Sequence, residues 1–251
     1  MEDFIAVSPN SKEILNSAKL LQSVNIHALI FGEIGVGKKT LAKYIVPEAR
    51  LFTPHELQRD ITDGVLSLNK ESIVIDKIEH ITNVDLLLSW IEENEIRVIA
   101  TTEALSLNNK LNDIFSITLS IPPLSQREDD LKLLTQKFSN EASQVLRSEK
   151  IVPSKLMLNT SKNAHSLRKS IYFSYLFETI GEDEILMFLE NYMLTNLEGD
   201  NSYKDFLYLF EVPLLKASKK KYKSQVQMAK HLGLNRITLR KKLDIHKELL
   251  L

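Results

Sequence analysis

The chain has 251 residues, 43% hydrophobic and 26% charged, with a formal net charge of −1 and no cysteine, enough for two globular domains without disulfides, thiolate metal sites or cysteine nucleophiles. No apolar run approaches the roughly 20 residues of a membrane span, and Met1-Glu-Asp-Phe-Ile lacks the basic head and apolar stretch of a signal peptide, so a cytoplasmic protein without membrane contact is expected.

Ile14, Ala18, Leu20 and Leu21 carry helical spacing, with Ser11 as the candidate cap. His27-Ala-Leu-Ile-Phe31 reads as a buried strand. A glycine-rich turn follows, Gly32-Glu-Ile-Gly-Val-Gly-Lys38-Lys39-Thr40, and Leu41 to Ile45 resumes helical spacing. Strand, turn and helix in that order are the context that gives G-x-x-x-x-G-K its meaning: backbone N–H groups and the positive helix end face phosphates, and the lysine reaches the terminal ones. Gly32, Gly35, Val36, Gly37, Lys38, Lys39 and Thr40 are therefore the candidate nucleotide-binding residues, with Lys39 where Ser or Thr usually completes the motif. The plain alternative is a tight turn with no ligand.

Buried strands are also expected at Ser72 to Asp76 and Ile96 to Ala100, with a helix over Val84 to Glu93 between them. Asp76, at a strand end, is placed to orient the water shell of Mg²⁺, so ATP or ADP with Mg²⁺ is the expected cofactor, with no metal held directly. Lys77 comes next, where ATPases of this type carry a second carboxylate to polarise water. An ammonium cannot accept that proton. Glu79 would need a different backbone path to take the role. A further apolar stretch, Ser116 to Ile121, ends at Pro122-Pro123. Strands alternating with helices imply an α/β fold with a parallel sheet covered on both faces.

Beyond the prolines, Asp129 to Val145, Ser154 to Asn159, Ser166 to Ile180 and Glu184 to Leu194 read as helices. The expected organisation is an α/β nucleotide-binding-like domain over 1–123, a helical lid subdomain over 124–195, a polar linker over 196–202 marked by Gly199-Asp-Asn, and an all-α domain over 203–251. Charge separates the last part: Leu214 to Leu251 holds eleven Lys or Arg and two acids, +9, which leaves −10 on the rest. Such a split points to a polyanion-binding end. Ser224 to Leu243 contains two short helical patterns around Gly233, the first burying Val226, Ala229 and Leu232, the second Ile237, Leu239 and Leu243. A glycine turn that lets two helices cross steeply is helix-turn-helix geometry, the second helix entering the major groove of double-stranded DNA. Asn235 is placed to cap that helix, and Arg236, Thr238, Arg240 and Lys241 are expected on its exposed face. A generic helical hairpin is the alternative. His27, His55, His80, His165, His231 and His246 show no metal-ligand spacing.

Taken together these segments resemble the NtrC-type transcription regulators, an AAA+ ATPase domain followed by a Fis-type helix-turn-helix. The resemblance rests on Phe4-Ile-Ala-Val-Ser-Pro-Asn-Ser, the turn from Gly32 to Lys39, Ile99-Ala-Thr-Thr102 at the sensor I strand, Ile121-Pro-Pro-Leu-Ser-Gln-Arg-Glu-Asp-Asp-Leu131, and most specifically Leu234-Asn-Arg-Ile-Thr-Leu-Arg-Lys-Lys-Leu243, which matches the Fis recognition helix almost residue for residue. It implies DNA contact by Ser224 and Gln225 from the first helix, reading of the groove by Asn235, Arg236, Thr238 and Arg240, phosphate contact by Lys241 and Lys242, and a homodimer through Phe206, Leu207, Phe210, Leu214 and Leu215, with Pro213 kinking or shortening that helix. The departures are as informative. No receiver domain precedes the ATPase part. Nothing like the family's GAFTGA loop lies between Lys39 and Ile75, which makes sigma-54 contact doubtful. No arginine lies near Leu111 to Phe115, where one normally reaches a neighbour's site, and His165 aligns with the sensor II arginine. Losing the trans-acting arginine alone costs about 10³-fold or more in phosphoryl transfer. The expected protein is a dimeric, nucleoid-associated DNA-binding regulator whose degenerate ATPase domain is a scaffold or nucleotide sensor. The rivals are an active AAA+ ATPase that remodels the transcription machinery and an interaction protein that modulates a full-length relative.

Overall fold

Five short strands form one parallel sheet in the computed structural model, which describes residues 4–148, 152–178 and 180–250. The strands are β1 (Ala28–Phe31), β2 (Arg50–Phe52), β3 (Ser72–Ile75), β4 (Arg97–Thr102) and β5 (Ile117–Ser120), in the order β2-β3-β4-β1-β5. Every residue of β4 is buried, as expected of a central strand with helices on both faces. The two-residue period sorts the core into layers. Ala28, Ile30, Val74 and Ile99 pack with Leu41, Ala42 and Ile45 of α2 (Lys38–Ile45) and with Ala18 and Leu21 of α1 (Pro9–Leu21). Leu29, Ile73, Ile75, Val98 and Ala100 pack on the other face with Leu57 of α3 (Pro54–Thr62) and Leu87, Trp90 and Ile91 of α4 (Val84–Glu93). Each large aliphatic side chain so buried contributes about 1.5–3 kcal/mol against exposure. Register decides where chemistry can sit: Phe31 lies opposite Thr102, and Ile75 opposite Ala100, so β1, β3 and β4 end at one edge. Ligands of open α/β sheets bind outside that carboxyl edge.

After α5 (Asn109–Asp113), α6 (Glu128–Val145) and α7 (Asn163–Leu176) close a smaller core of Leu124, Phe138, Ala142, Leu167, Ile171 and Tyr175. The remaining helices are α8 (Glu182–Asn196), α9 (Ser202–Phe206), α10 (Tyr208–Lys221), α11 (Gln225–His231) and α12 (Arg236–Ile245). The chain divides into two compact units, Met1–Thr179 and Ile180–Leu251. Among the described residues no helix is long and apolar enough to cross a membrane.

Several expectations are corrected. The division falls before α8 rather than at 196–202, so α8 belongs with the C-terminal unit instead of the lid. Helix α1 starts at Pro9, a residue preset for the first helical position, and Ser11 lies buried inside it, donating to the Asp130 carboxylate instead of capping. Residues 154–159 form no helix. Their backbone is satisfied from α7: Met157 N–H donates to Ser174 Oγ at 2.8 Å and Asn159 N–H to Ser170 Oγ at 3.0 Å. Helix α7 begins at Asn163 rather than Ser166 and ends at Leu176. Of the expected continuation to Ile180, residue 179 lies outside the described residues. β2, α3 and α5 were not anticipated, although Thr53-Pro-His-Glu56 is a capping box. Pro213 does not stop α10, which runs through it. The break falls earlier, at Leu207 between α9 and α10.

Candidate nucleotide site and nucleic-acid interface

The predicted turn sits at the carboxyl edge of β1 and opens α2. Gly35 and Gly37 have φ of 78° and 107°, values that L side chains rarely adopt. Space excludes a side chain as well. A Cβ on Gly35 would lie 2.5 Å from the Lys162 carbonyl oxygen, and one on Gly37 3.0 Å from the Phe4 ring. The start of α7 therefore rests directly on the turn. Ala164 N–H donates to the Gly35 carbonyl at 3.1 Å. Asn163, fully buried with φ of 51°, donates from Nδ2 to Glu33 Oε2 and the Ile34 carbonyl, both at 3.0 Å, and accepts from Leu124 N–H at 2.6 Å.

Lys38 is 7% exposed and donates to the carbonyls of Gly32 and Glu33, each at 2.8 Å, with Glu103 Oε1 3.5 Å away. Burial pushes its ammonium pKa down, and Glu103 opposes that shift. Asp76 follows β3 and is anchored by its N–H to the Phe52 carbonyl. Its Oδ1 accepts from Thr101 Oγ1 at 2.8 Å, and its Oδ2 meets Lys39 Nζ at 2.7 Å. Lys77 adopts the left-handed conformation, φ 59°, with its N–H on Thr101 Oγ1 and its Nζ 3.3 Å from Glu103 Oε1. That conformation feeds a 3₁₀ turn at Ile78–His80, the different backbone path that Glu79 needed. Along it Glu79 Oε1 accepts from Glu103 N–H at 3.0 Å, next to the carboxylate shared by Lys38 and Lys77, while its buried Oε2 has no hydrogen-bond partner among the described residues.

These groups line a cleft of about 480 Å³ with Ile34, Gly35, Gly37, Thr40, Phe138, Ala164, His165 and Arg168. Val36 is a core residue, its side chain packed among Ile30, Leu41 and Ile121, so it offers only backbone. A recess of about 100 Å³ behind Gly37 is lined by Phe4, Thr40, Arg127 and Phe138. Arg127, 3% exposed, lies over the Phe4 ring at 5.7 Å and donates to the Val36 carbonyl at 3.4 Å, while Nε and NH1 have no hydrogen-bond partner. Burial pushes its pKa down against the pull of Asp130. Glu103, Asn163, Arg127 and Arg168 were not singled out from the sequence as binding residues. Arg168 stands one turn beyond His165 and is held by Glu141, a position that helical periodicity alone offers.

The C-terminal unit presents the predicted helix pair. Ser224 Oγ accepts from Gln227 N–H at the start of α11, Gly233 turns with φ of 65°, and Asn235 Oδ1 accepts from Thr238 N–H at 2.7 Å to cap α12. Ser224, Gln225, Asn235, Arg236, Arg240 and Lys241 are exposed, and Thr238 is half-buried. Leu215, Met228, Ala229 and Leu239 form the core. Val226 and Ile237 are corrections, at 49% and 71% exposed. Each precedes a buried residue, Met228 or Leu239, by two positions, which on a helix is about 160° around the axis. Lys242 is also displaced from its expected phosphate role, because it pairs with Glu211, which also meets His246 Nε2 at 2.9 Å. Of the expected dimer residues, Leu215 faces its own core at 2% exposure and is not available. Phe210 and Leu214 are exposed, Phe206 and Leu207 half-buried.

No protein-family model matches this chain, and no curated protein matches it. Solved structures do. NtrX from Brucella abortus in complex with ATP superposes on 97% of this chain and 69% of its own, with a TM-score of 0.57 at 12% identity. Its complex with ADP gives 0.55 at 13% identity over 96% and 68%. A single-residue variant of RuvB from Thermotoga maritima gives 0.45 at 20% identity over 92% and 84%. The NtrX likeness is one of fold alone, which for this chain includes a five-stranded parallel sheet with helices on both faces.

Proposed function

We propose that this chain is a DNA-binding transcription regulator whose AAA+ unit holds a nucleotide without hydrolysing it efficiently. The observation that carries the DNA-binding half is the capped α12, with Arg236, Arg240 and Lys241 exposed beside the Asn235 cap on a tail of charge +9. Double-stranded DNA is the partner of that surface. Pairing of two chains through the C-terminal unit fits the rows of exposed apolar residues on α8 and α10, Leu186, Phe188, Phe210 and Leu214 among them, since no residue of α8 is buried.

Support for the nucleotide half comes from the glycine turn at the carboxyl edge of the sheet, the cleft of about 480 Å³ beside it, and the ATP and ADP complexes of the similarly folded NtrX. The missing trans-acting arginine, the histidine at 165 and the lysine at 77 argue against efficient turnover. Arg236→Ala and Arg240→Ala should each weaken DNA binding by about 1–3 kcal/mol without unfolding the exposed helix face. Fluorescence anisotropy with genome-derived duplexes reads this, and affinity should also fall steeply with salt. Unchanged binding by the double variant would refute the assignment.

A further inference from the structure

The residues of the nucleotide cleft do not fit the Mg²⁺ that its fold implies. A hydrated Mg²⁺ needs carboxylate oxygens facing its water shell. Here Asp76 Oδ1 accepts from Thr101 Oγ1 and Oδ2 pairs with the Lys39 ammonium at 2.7 Å, so a cation already faces the acid that would orient the metal. The second carboxylate of the cleft, Glu103, is shared by Lys38 and Lys77 at 3.5 and 3.3 Å. Glu79 Oε1 accepts from the Glu103 backbone N–H, next to that shared pairing.

Four cations gather at the cleft, Lys38, Lys39, Lys77 and Arg168; Arg168 is paired with Glu141, while Lys38, Lys39 and Lys77 share Asp76 and Glu103, three ammoniums on two carboxylates. Lys39 is exposed and stands one residue past Lys38, and with three N–H donors its ammonium can meet a phosphate oxygen while it keeps Asp76 Oδ2; Lys77 lines the same cleft from a left-handed backbone. Ammonium–phosphate hydrogen bonds are charge-assisted and need no metal to bridge them.

We propose that the cleft binds nucleoside di- and triphosphates as metal-free polyanions, with Lys39 and Lys77 supplying the charge that Mg²⁺ would otherwise bring. This rests on the reading of the cleft as a nucleotide site, and the experiment separates the two. ATP is titrated into the full chain by calorimetry, with melting temperature as a second readout, once in EDTA and once in excess Mg²⁺. The expected result is binding in EDTA at least as tight as in Mg²⁺. Lys39→Ala frees Asp76 and removes one ammonium, so it should weaken binding in EDTA by about tenfold and make Mg²⁺ favourable. Lys77→Gly, which relieves the left-handed backbone and so guards against misfolding, should weaken EDTA binding in the same direction. Wild-type binding that requires Mg²⁺, or a Lys39→Ala ratio of the two affinities equal to that of wild type, overturns the metal-free proposal and leaves the nucleotide site standing. No heat and no rise in melting temperature in either buffer at millimolar ATP overturns the nucleotide site itself.

Discussion

Replacing Asn163 by alanine tests how the helical pair α6 and α7 is fastened to the glycine-rich turn. The side chain makes three hydrogen bonds, to Glu33 Oε2, the Ile34 carbonyl and Leu124 N–H. The two lost donations are worth about 1 kcal/mol each, and the Leu124 N–H, on a fully buried residue, is orphaned at about 1–3 kcal/mol. Alanine at φ of 51° adds about 1 kcal/mol, because asparagine tolerates the left-handed region better. The expected loss is about 5 kcal/mol for Asn163→Ala and about 4 kcal/mol for Asn163→Gly, which loses the bonds but not the backbone fit. Urea unfolding followed by fluorescence reads this cleanly, because Trp90 is the sole tryptophan and lies in the α/β core. A loss below about 1 kcal/mol for alanine, or a glycine variant less stable than the alanine one, would refute the reasoning, since the bonds and the left-handed backbone account for the whole effect.

Four further outcomes are expected. For Glu211, burial alone raises the carboxyl pKa, but the bonds and charges of Lys242 and His246 outweigh it and hold the group below the ordinary carboxylate range. A depressed carboxyl pKa gives stability that is present above the unfolded value of about 4.3 and lost as pH falls through the folded one, so Glu211→Gln should flatten the acid limb of melting temperature against pH, and a limb parallel to wild type disproves the linkage. Purified protein should turn ATP over near background, with no rescue by Lys77→Glu; robust Mg²⁺-dependent turnover that vanishes in Lys38→Ala would show that the altered residues do not impair catalysis. Leu215→Ala should destabilise the C-terminal unit by about 2–5 kcal/mol, because it empties a core position. Phe210→Lys with Leu214→Lys, both exposed, should instead leave folding intact and shift sedimentation from dimer to monomer; if the double variant sediments like wild type, these residues do not pair the chains.

Much of the architecture was legible because it rests on local rules. The run His27 to Phe31, the glycine turn and the helix after it could be placed by periodicity and φ preference alone, and so could Asp76 at the end of β3. The helix pair around Gly233 was equally local, since Ser224 and Asn235 cap helices within three residues of themselves. β2 escaped notice because three residues carry no measurable alternation, and residues 154–159 carry helical apolar spacing although the backbone N–H groups of Met157 and Asn159 donate to serines of α7 in place of a helix of their own.

What only the tertiary structure decided are the partners of the charged side chains. Sequence placed Lys39, Lys77 and Asp76 within two short segments, yet their pairing depends on β3 and β1 ending at the same edge with β4 between them, a consequence of strand order that no local pattern encodes. Lys242 looked like a phosphate ligand until α10 brought Glu211 against it from 31 residues away, and Leu215 looked like a dimer contact until α11 and α12 closed over it. Local propensity acts over a few bonds, whereas charge pairing and burial are fixed by neighbours that only the packed chain supplies.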